Sequence, residues 1–173
     1  MVRTFVAIGS NLGDREAHLR SAVEAMAALG RIEKVSDLYE TAPMYVVDQP
    51  PFLNGVVELW TELGPWPLVQ APTGIEREVG RREGQRFGPR EVDLDLVAYG
   101  ALAYVFRDPS GVVLVQVPHP RTPERRFVLE PLFEIDPELV LPSLGPVKSL
   151  RAATEAQAES VRRIGHAVFS LPG

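Results

Sequence analysis

Asp93 and Asp95 stand two apart in a run in which Val92, Leu94, Leu96 and Ala98 alternate with Glu91, Asp93, Asp95 and Val97. That alternation is the period of a strand, and side chains two apart in a strand share a face. The two carboxylates therefore stand side by side while Val92, Leu94 and Leu96 face a core. Carboxylates that close repel one another and stay ionised together only beneath a cation. A hard ion such as Mg²⁺ suits them, because it takes oxygen ligands and keeps waters or phosphate oxygens. Just upstream, Arg81, Arg82, Arg86 and Arg90 supply guanidinium groups that an anionic ligand could bridge to such a metal. An edge strand with a solvated acidic face is the alternative; the Gly88-Pro89-Arg90 turn and the arginine series favour a site.

Two further groups belong to the same chemistry. His119, Arg121 and Arg125, in and just after Pro118-His119-Pro120-Arg121, offer anion contacts from the other side of the acidic strand. Phe52, Asn54 and Phe127 fall at strand or loop ends, where a flat heterocycle could stack and form hydrogen bonds. Metal plus arginines is the pattern of phosphoryl-type transfer, in which catalysis is mostly positioning and charge neutralisation. Each residue also has a plainer role: His119 as a structural hydrogen-bonder, Phe52 and Phe127 as core, Asn54 as the cap of a bulge. No Ser-His-Asp or Cys-His set is recognisable, and three histidines without cysteine give no zinc signature.

Composition bounds the rest. The 173 residues suit a single domain spanning the chain, and 45% apolar content suffices for a core. Without cysteine there are no disulfides or thiolate metal sites, which fits a reducing cytoplasm. No run of about 18 apolar residues is present, so no membrane span is expected, and Met1 to Ile8 reads as a first strand, not a signal peptide. A net charge of −5 argues against a nucleic-acid partner. Lys34 and Lys148 are the only lysines among eighteen cations, so positive charge near the acidic pair comes from arginine. A monomer is expected.

The elements that position these groups follow from periodicity and turn signals. Residues 3–8 predict a strand, and Gly9-Ser10-Asn11-Leu12-Gly13-Asp14 a tight turn into a helix marked by Leu19, Val23, Met26 and Ala27 and ended by Gly30. The turn lacks the Gly-Lys-Ser/Thr ending of a nucleotide-cradling loop. Residues 31–41 predict a second strand, Met44 to Pro51 a loop, and Phe52 to Thr61 a third strand. A helix follows over 65–80, kinked at Pro72 and Gly74 or starting only at Thr73. Arg81 to Pro89 predicts a mobile loop before the acidic strand, and 101–106 with 112–117 a hairpin. A short helix is expected near 125–132 and a polar helix over 149–165. The order β-α-β-β-α-β is that of an α+β, ferredoxin-like core: an antiparallel sheet with helices on one face, here with an extra hairpin and a C-terminal helix. That fold hosts many chemistries.

A set of motifs then carries a resemblance. In chain order they are Gly9-Ser10-Asn11-Leu12-Gly13, Tyr39-Glu40-Thr41-Ala42-Pro43, Phe52-Leu53-Asn54, Glu76…Gly80-Arg81, Gly88-Pro89-Arg90-Glu91-Val92-Asp93-Leu94-Asp95 and Pro118-His119-Pro120-Arg121…Arg125…Phe127. Over roughly residues 2–147 this resembles the 6-hydroxymethyl-7,8-dihydropterin pyrophosphokinases of folate biosynthesis. The resemblance implies an enzyme with ATP as co-substrate that moves a pyrophosphoryl group to the pterin hydroxymethyl oxygen and releases AMP. It implies two Mg²⁺ ions on Asp93 and Asp95, with Arg81 and Arg90 completing the catalytic set. Glu76, Arg81, Phe87, Arg90, His119 and Arg125 would bind ATP. Thr41, Ala42, Met44, Phe52, Asn54 and Phe127 would bind the pterin, the two rings sandwiching it. Asp93 also lies near the attacking hydroxyl in this picture, as metal ligand, proton acceptor or both.

The chain departs from the pattern at four places. Phe87 stands where many relatives carry tryptophan, Phe52 where tyrosine is common, and Thr73-Gly74 where more helical residues precede the Ile-Glu pair. Residues 101–117 are longer than in compact members. The residues alone point to metal-assisted attack at a polyphosphate. Another Mg²⁺-dependent phosphate-ester enzyme and a non-catalytic ferredoxin-like binding module share that starting point.

Overall fold

A computed structural model describes residues 1–42, 50–82 and 92–165, with side chains for all of these except 80–82. Five strands form the core of one sheet: β1 (Val2–Ser10), β2 (Arg31–Val35), β3 (Tyr39–Thr41), β4 (Phe52–Thr61) and β5 (Asp93–Tyr99). A short last strand, β10 (Val161–Arg163), extends the order to β10-β3-β4-β1-β5, with β2 also paired to β4 and every pairing antiparallel. Helix α1 (Arg15–Met26) links β1 to β2, and α2 (Pro65–Arg82) links β4 to β5. The expected βαββαβ core is thus present, both of its helices packing on one face against Val6, Ile8, Leu59, Leu94 and Leu96. Two later helices, α3 (Arg126–Ile135) and α4 (Val147–Ala153), cover the other face against Phe5, Val56, Val97 and Ala98. The expected hairpin is present as β6 (Tyr104–Arg107), one residue past its expected end, and β7 (Val113–Val117), and β8 (Val140–Leu141) pairs with β9 (Gly145–Pro146).

Local chemistry explains where the elements stop. Asp14 caps α1 by accepting the Ala17 N–H at 3.1 Å, and Gly13 precedes it at φ +64°. The helix ends before Gly30, whose role is a close approach: a Cβ there would run into the Trp60 carbonyl. The expected turn from Gly9 begins two residues later, because Gly9 and Ser10 still pair with Asn54 and Leu53. The single strand expected over 31–41 is broken at Ser36. Its hydroxyl accepts the Val56 N–H at 2.9 Å and donates to the Asp37 carbonyl at 2.7 Å, replacing the ladder locally. Glu134 of α3 then takes the Asp37 N–H at 2.9 Å and the Tyr39 hydroxyl at 2.6 Å, fastening α3 to the sheet.

Three expectations are corrected. Helix α2 runs continuously through Pro72 and does not start at Thr73; Leu68, Ile75 and Val79 on its buried side hold it to the sheet across the missing N–H. It also extends to Arg82, so Arg81 and Arg82 are helical and not loop residues. The polar helix expected over 149–165 ends at Ala153, where Thr154 Oγ1 donates back to the Arg151 carbonyl at 2.8 Å. A 3₁₀ turn (Glu155–Ser160) and β10 follow it.

One buried charge is held by the sheet itself. Glu58 on β4 is buried and accepts Arg3 Nε at 2.8 Å and Trp60 Nε1 at 3.0 Å, while Arg3 also reaches Asp136 at 2.8 Å. Burial pushes the Glu58 carboxyl up, but the Arg3 and Trp60 hydrogen bonds outweigh it and leave it below the ordinary 4.5. A depressed carboxyl contributes stability that is complete above about 4.5 and is lost as pH falls through the lower folded value. Glu58→Gln is expected to cost about 1–3 kcal/mol at pH 7, below the cost of breaking a fully buried pair because Arg3 is partly exposed. Urea unfolding at pH 7 and pH 3 checks this: the gap from the parent protein narrows in acid, and an unchanged gap contradicts the assignment.

Candidate active site

The strands present two chemistries on the face beneath α3. Toward one end Phe5, Val56, Val97 and Ala98 are apolar and packed; toward the other, Asp93, Asp95, Gly9, Asn54 and Thr41 are not. The helix covers the apolar end and begins where the polar end starts, leaving a cleft of about 370 Å³. Its lining includes Thr41, Ala42, Phe52, Asn54, Asp93, Asp95, His119, Arg125 and Phe127. With Arg121, which also lines it, ten of the residues singled out in the sequence therefore meet in one place, from five separate segments.

Sheet register sets their spacing. Gly9 pairs with Asn54 on one side and Asp93 on the other, so these three form a row across β4, β1 and β5. Two strand spacings, roughly 10 Å, separate Asn54 from Asp93. A Cβ on Gly9 would lie 2.8 Å from Asn54 Oδ1, so the bare floor between them needs glycine. Asn54 Nδ2 donates to Thr41 Oγ1 at 2.6 Å, which fixes its amide and turns its carbonyl oxygen toward Gly9. Asp93 is half-buried and Asp95 exposed, both on the cleft side of β5. Among the described residues no group of three or more His, Cys, Asp or Glu side chains gathers to hold a metal.

A bulge brings the opposite wall up. The β1–β5 register shifts between Phe5 and Val6, so Phe5 faces Ala98, Val6 faces Leu96, and Val97 is the extra residue. Val97 and Ala98 consequently both pack under α3, and the alternation expected for the strand holds only as far as Leu96. The Val97 carbonyl accepts the His119 N–H at 2.8 Å, tying the Pro118-His119 segment to the acidic strand. His119 Nδ1 accepts the Arg121 N–H at 3.2 Å, which assigns the neutral ring's proton to Nε2. Burial holds His119 below its ordinary value, Arg125 and Arg121 adding to the effect and Asp95 opposing it. Arg125 lies 5.6 Å from the centroid of the Phe127 ring, the two flanking the start of α3.

Of the remaining expected residues, Glu76 alone has a described side chain. Glu76 does not line the cleft; its carboxylate accepts the Leu94 N–H at 3.1 Å, on the unpaired side of β5. Met44, Phe87 and Arg90, like most of the 81–90 loop, lie outside the described residues, as does the Arg81 side chain. Gly9, Val97 and Thr122 line the cleft without having been singled out for it. Gly9 was legible as a glycine in a strand-end motif, but its place opposite both Asn54 and Asp93 needs the register.

Fold and cleft together define a ferredoxin-like domain with a carboxylate pair facing a cationic wall beside two aromatic rings. Residues 5–137 match the family described as 7,8-dihydro-6-hydroxymethylpterin-pyrophosphokinase (HPPK), and the chain belongs to that family. It is 44% identical over 133 residues to the Bacillus subtilis 2-amino-4-hydroxy-6-hydroxymethyldihydropteridine pyrophosphokinase, covering 76% of each chain. The Pseudomonas aeruginosa protein of the same name is 38% identical over 153 residues, 87% of this chain and 91% of that one. The pea mitochondrial folate synthesis bifunctional protein is 44% identical over 131 residues, 75% of this chain but only 24% of its own length. In fold, the chain is similar to Plasmodium falciparum HPPK-DHPS, with a TM-score of 0.75 and 15% identity over 94% of this chain and 47% of that one. The chain thus spans about a quarter of the pea protein and about half of the Plasmodium one.

Proposed function

We propose that this domain transfers the β,γ-pyrophosphoryl group of ATP to the hydroxymethyl oxygen of 6-hydroxymethyl-7,8-dihydropterin, a step of folate biosynthesis. A bond forms from that oxygen to the β-phosphorus, the bond from the β-phosphorus to the α,β-bridging oxygen breaks, AMP leaves and the hydroxyl proton is released. The observation that carries the reading is the row Asn54–Gly9–Asp93 at the bottom of the cleft. A flat bicycle lying over bare Gly9 puts its amide edge on Asn54 and Thr41 and its one-carbon arm beside Asp93. Phe52 and Phe127 supply the stacking faces.

The donor chemistry of Asp93 and Asp95 fits Mg²⁺, which binds through one or two carboxylates together with substrate phosphates. When bound, two such ions would neutralise charge developing on the phosphates. Opposite them, Arg125 offers a planar fork for phosphate oxygens and His119 a neutral Nε2–H donor that adds no charge of its own. Arg121 adds positive charge on the same wall. Asp93, beside the one-carbon arm in this reading, is a candidate acceptor of the hydroxyl proton as well as a metal ligand. Arg81, Arg90, Phe87, Glu76 and Met44 keep the roles the family pattern gives them, as part of the proposal. We take the chain to work as a cytoplasmic monomer on these two small substrates, without nucleic acid or membrane; no described helix is long and apolar enough to cross one.

Incubation with Mg²⁺, ATP and the pterin tests the reading: AMP and the pterin diphosphate form together, and only when the pterin is present. ADP as product would remove the pyrophosphoryl assignment, phosphate released without the pterin would indicate a hydrolase, and ATP binding indifferent to Mg²⁺ would indicate a binding module. Phe127→Ala is expected to weaken pterin binding by about 1–3 kcal/mol, the scale of a lost stacking partner. Fluorescence titration checks it, and an unchanged affinity argues against the sandwich.

A further inference from the structure

We propose that residues 155–163 form a strap that positions Arg125, with Gln157 as its positioning residue; the inference rests on the phosphate-gripping role given to Arg125 above. Arg125 occupies the N-cap of α3 and makes no side-chain capping bond. Short polar side chains favour that position because they accept one of the helix's first N–H groups, so an arginine there leaves a donor unmet. Gln157 supplies an acceptor to another of these first N–H groups: its Oε1 accepts the Arg126 N–H, 31 residues before it, at 3.2 Å. Its Nε2 donates to the Glu124 carbonyl at 2.8 Å. One amide therefore holds the peptide groups on both sides of Arg125.

Gln157 is itself held. Its N–H donates to the Thr154 carbonyl at 2.9 Å and its carbonyl accepts the Ser160 hydroxyl at 2.8 Å. Buried Arg126 binds Glu155 at 3.2 Å and the Arg151 carbonyl at 3.0 Å, pressing the strap onto α3. At its other end the strap reaches the opposite wall: the Ser160 carbonyl accepts the Ala42 N–H at 3.2 Å, and β10 pairs with Tyr39–Thr41. The strap thus links two parts of the cleft lining, the Arg125 segment and Thr41–Ala42, using residues that lie outside the matched 5–137.

Calorimetric titration with ATP in Mg²⁺ of the parent protein, Gln157→Ala, Arg125→Ala and the double variant tests this. Gln157→Ala is expected to weaken ATP binding about tenfold, the scale of a misplaced gripping group. The same change made on Arg125→Ala is expected to cost less than about twofold, since the group it positions is gone. Gln157→Glu, which keeps the acceptor for Arg126 N–H and loses the donor to Glu124, is expected to fall between. Equal losses in both backgrounds, or a lowered melting temperature with unchanged ATP affinity, overturn the proposal. Binding needs no turnover, so a protein that shows the expected pattern yet makes no AMP with the pterin refutes the activity and supports the strap.

Discussion

Asp95→Ala is expected to lower turnover at least about 10³-fold while leaving the melting temperature close to that of the parent. The size follows from the several kcal/mol that a metal contributes to stabilising developing charge, at about 1.4 kcal/mol per tenfold. The intact fold follows from its surroundings: Asp95 is exposed on the cleft side of β5, while the strand is held by Leu94 and Leu96 on the other side and by pairing with β1. Removing a carboxylate proposed to hold the metal, and supporting no packing, should cost activity and little stability. Steady-state rates with thermal unfolding check both halves. A fully active variant removes the central assignment, and an unfolded one shows that the carboxylate is structural.

The second large effect is at Arg125. Arg125→Ala is expected to lower kcat/KM for ATP by about 10²–10³, the cost of deleting one preorganised donor from a site where charge develops. Arg125→Lys should recover only part of it, because an ammonium keeps the charge and loses the fork. Arg125 also lies against Phe127, so the alanine variant should weaken the pterin as well, whereas Phe127→Ala should leave ATP affinity nearly intact. Pterin and ATP affinities measured separately on both variants check this. A loss of pterin binding alone in Arg125→Ala would reassign the residue to the heterocycle.

Much of this arrangement was legible in the sequence because short-range patterns determine it. Asp93 and Asp95 share a face through strand period alone, and the order of elements around them follows from turns and caps such as Asp14. What periodicity could not show were effects that arise between segments. Ser36 breaks a strand whose residues all suit a strand, because its hydroxyl finds Val56 across the sheet. Pro72 stays inside α2 because tertiary packing overrides a lost N–H. The bulge at Val97 has no marker in Leu96-Val97-Ala98, yet it sets His119 beside Asp95. Gln157 sits in a stretch that reads only as polar helix, and its two contacts around Arg125 reveal what it holds. Glu76 likewise takes the Leu94 N–H, a contact that no sequence pattern announced.

The acidic pair as the seat of the divalent ions is the point on which the chemistry turns. Mn²⁺ titration followed by electron paramagnetic resonance, with a non-hydrolysable ATP analogue present, tests it directly. Two Mn²⁺ per chain are expected in the ternary complex, with loss of binding when Asp95 is replaced by alanine; equal Mn²⁺ binding by the parent and the variant would contradict the assignment of the ions to this pair.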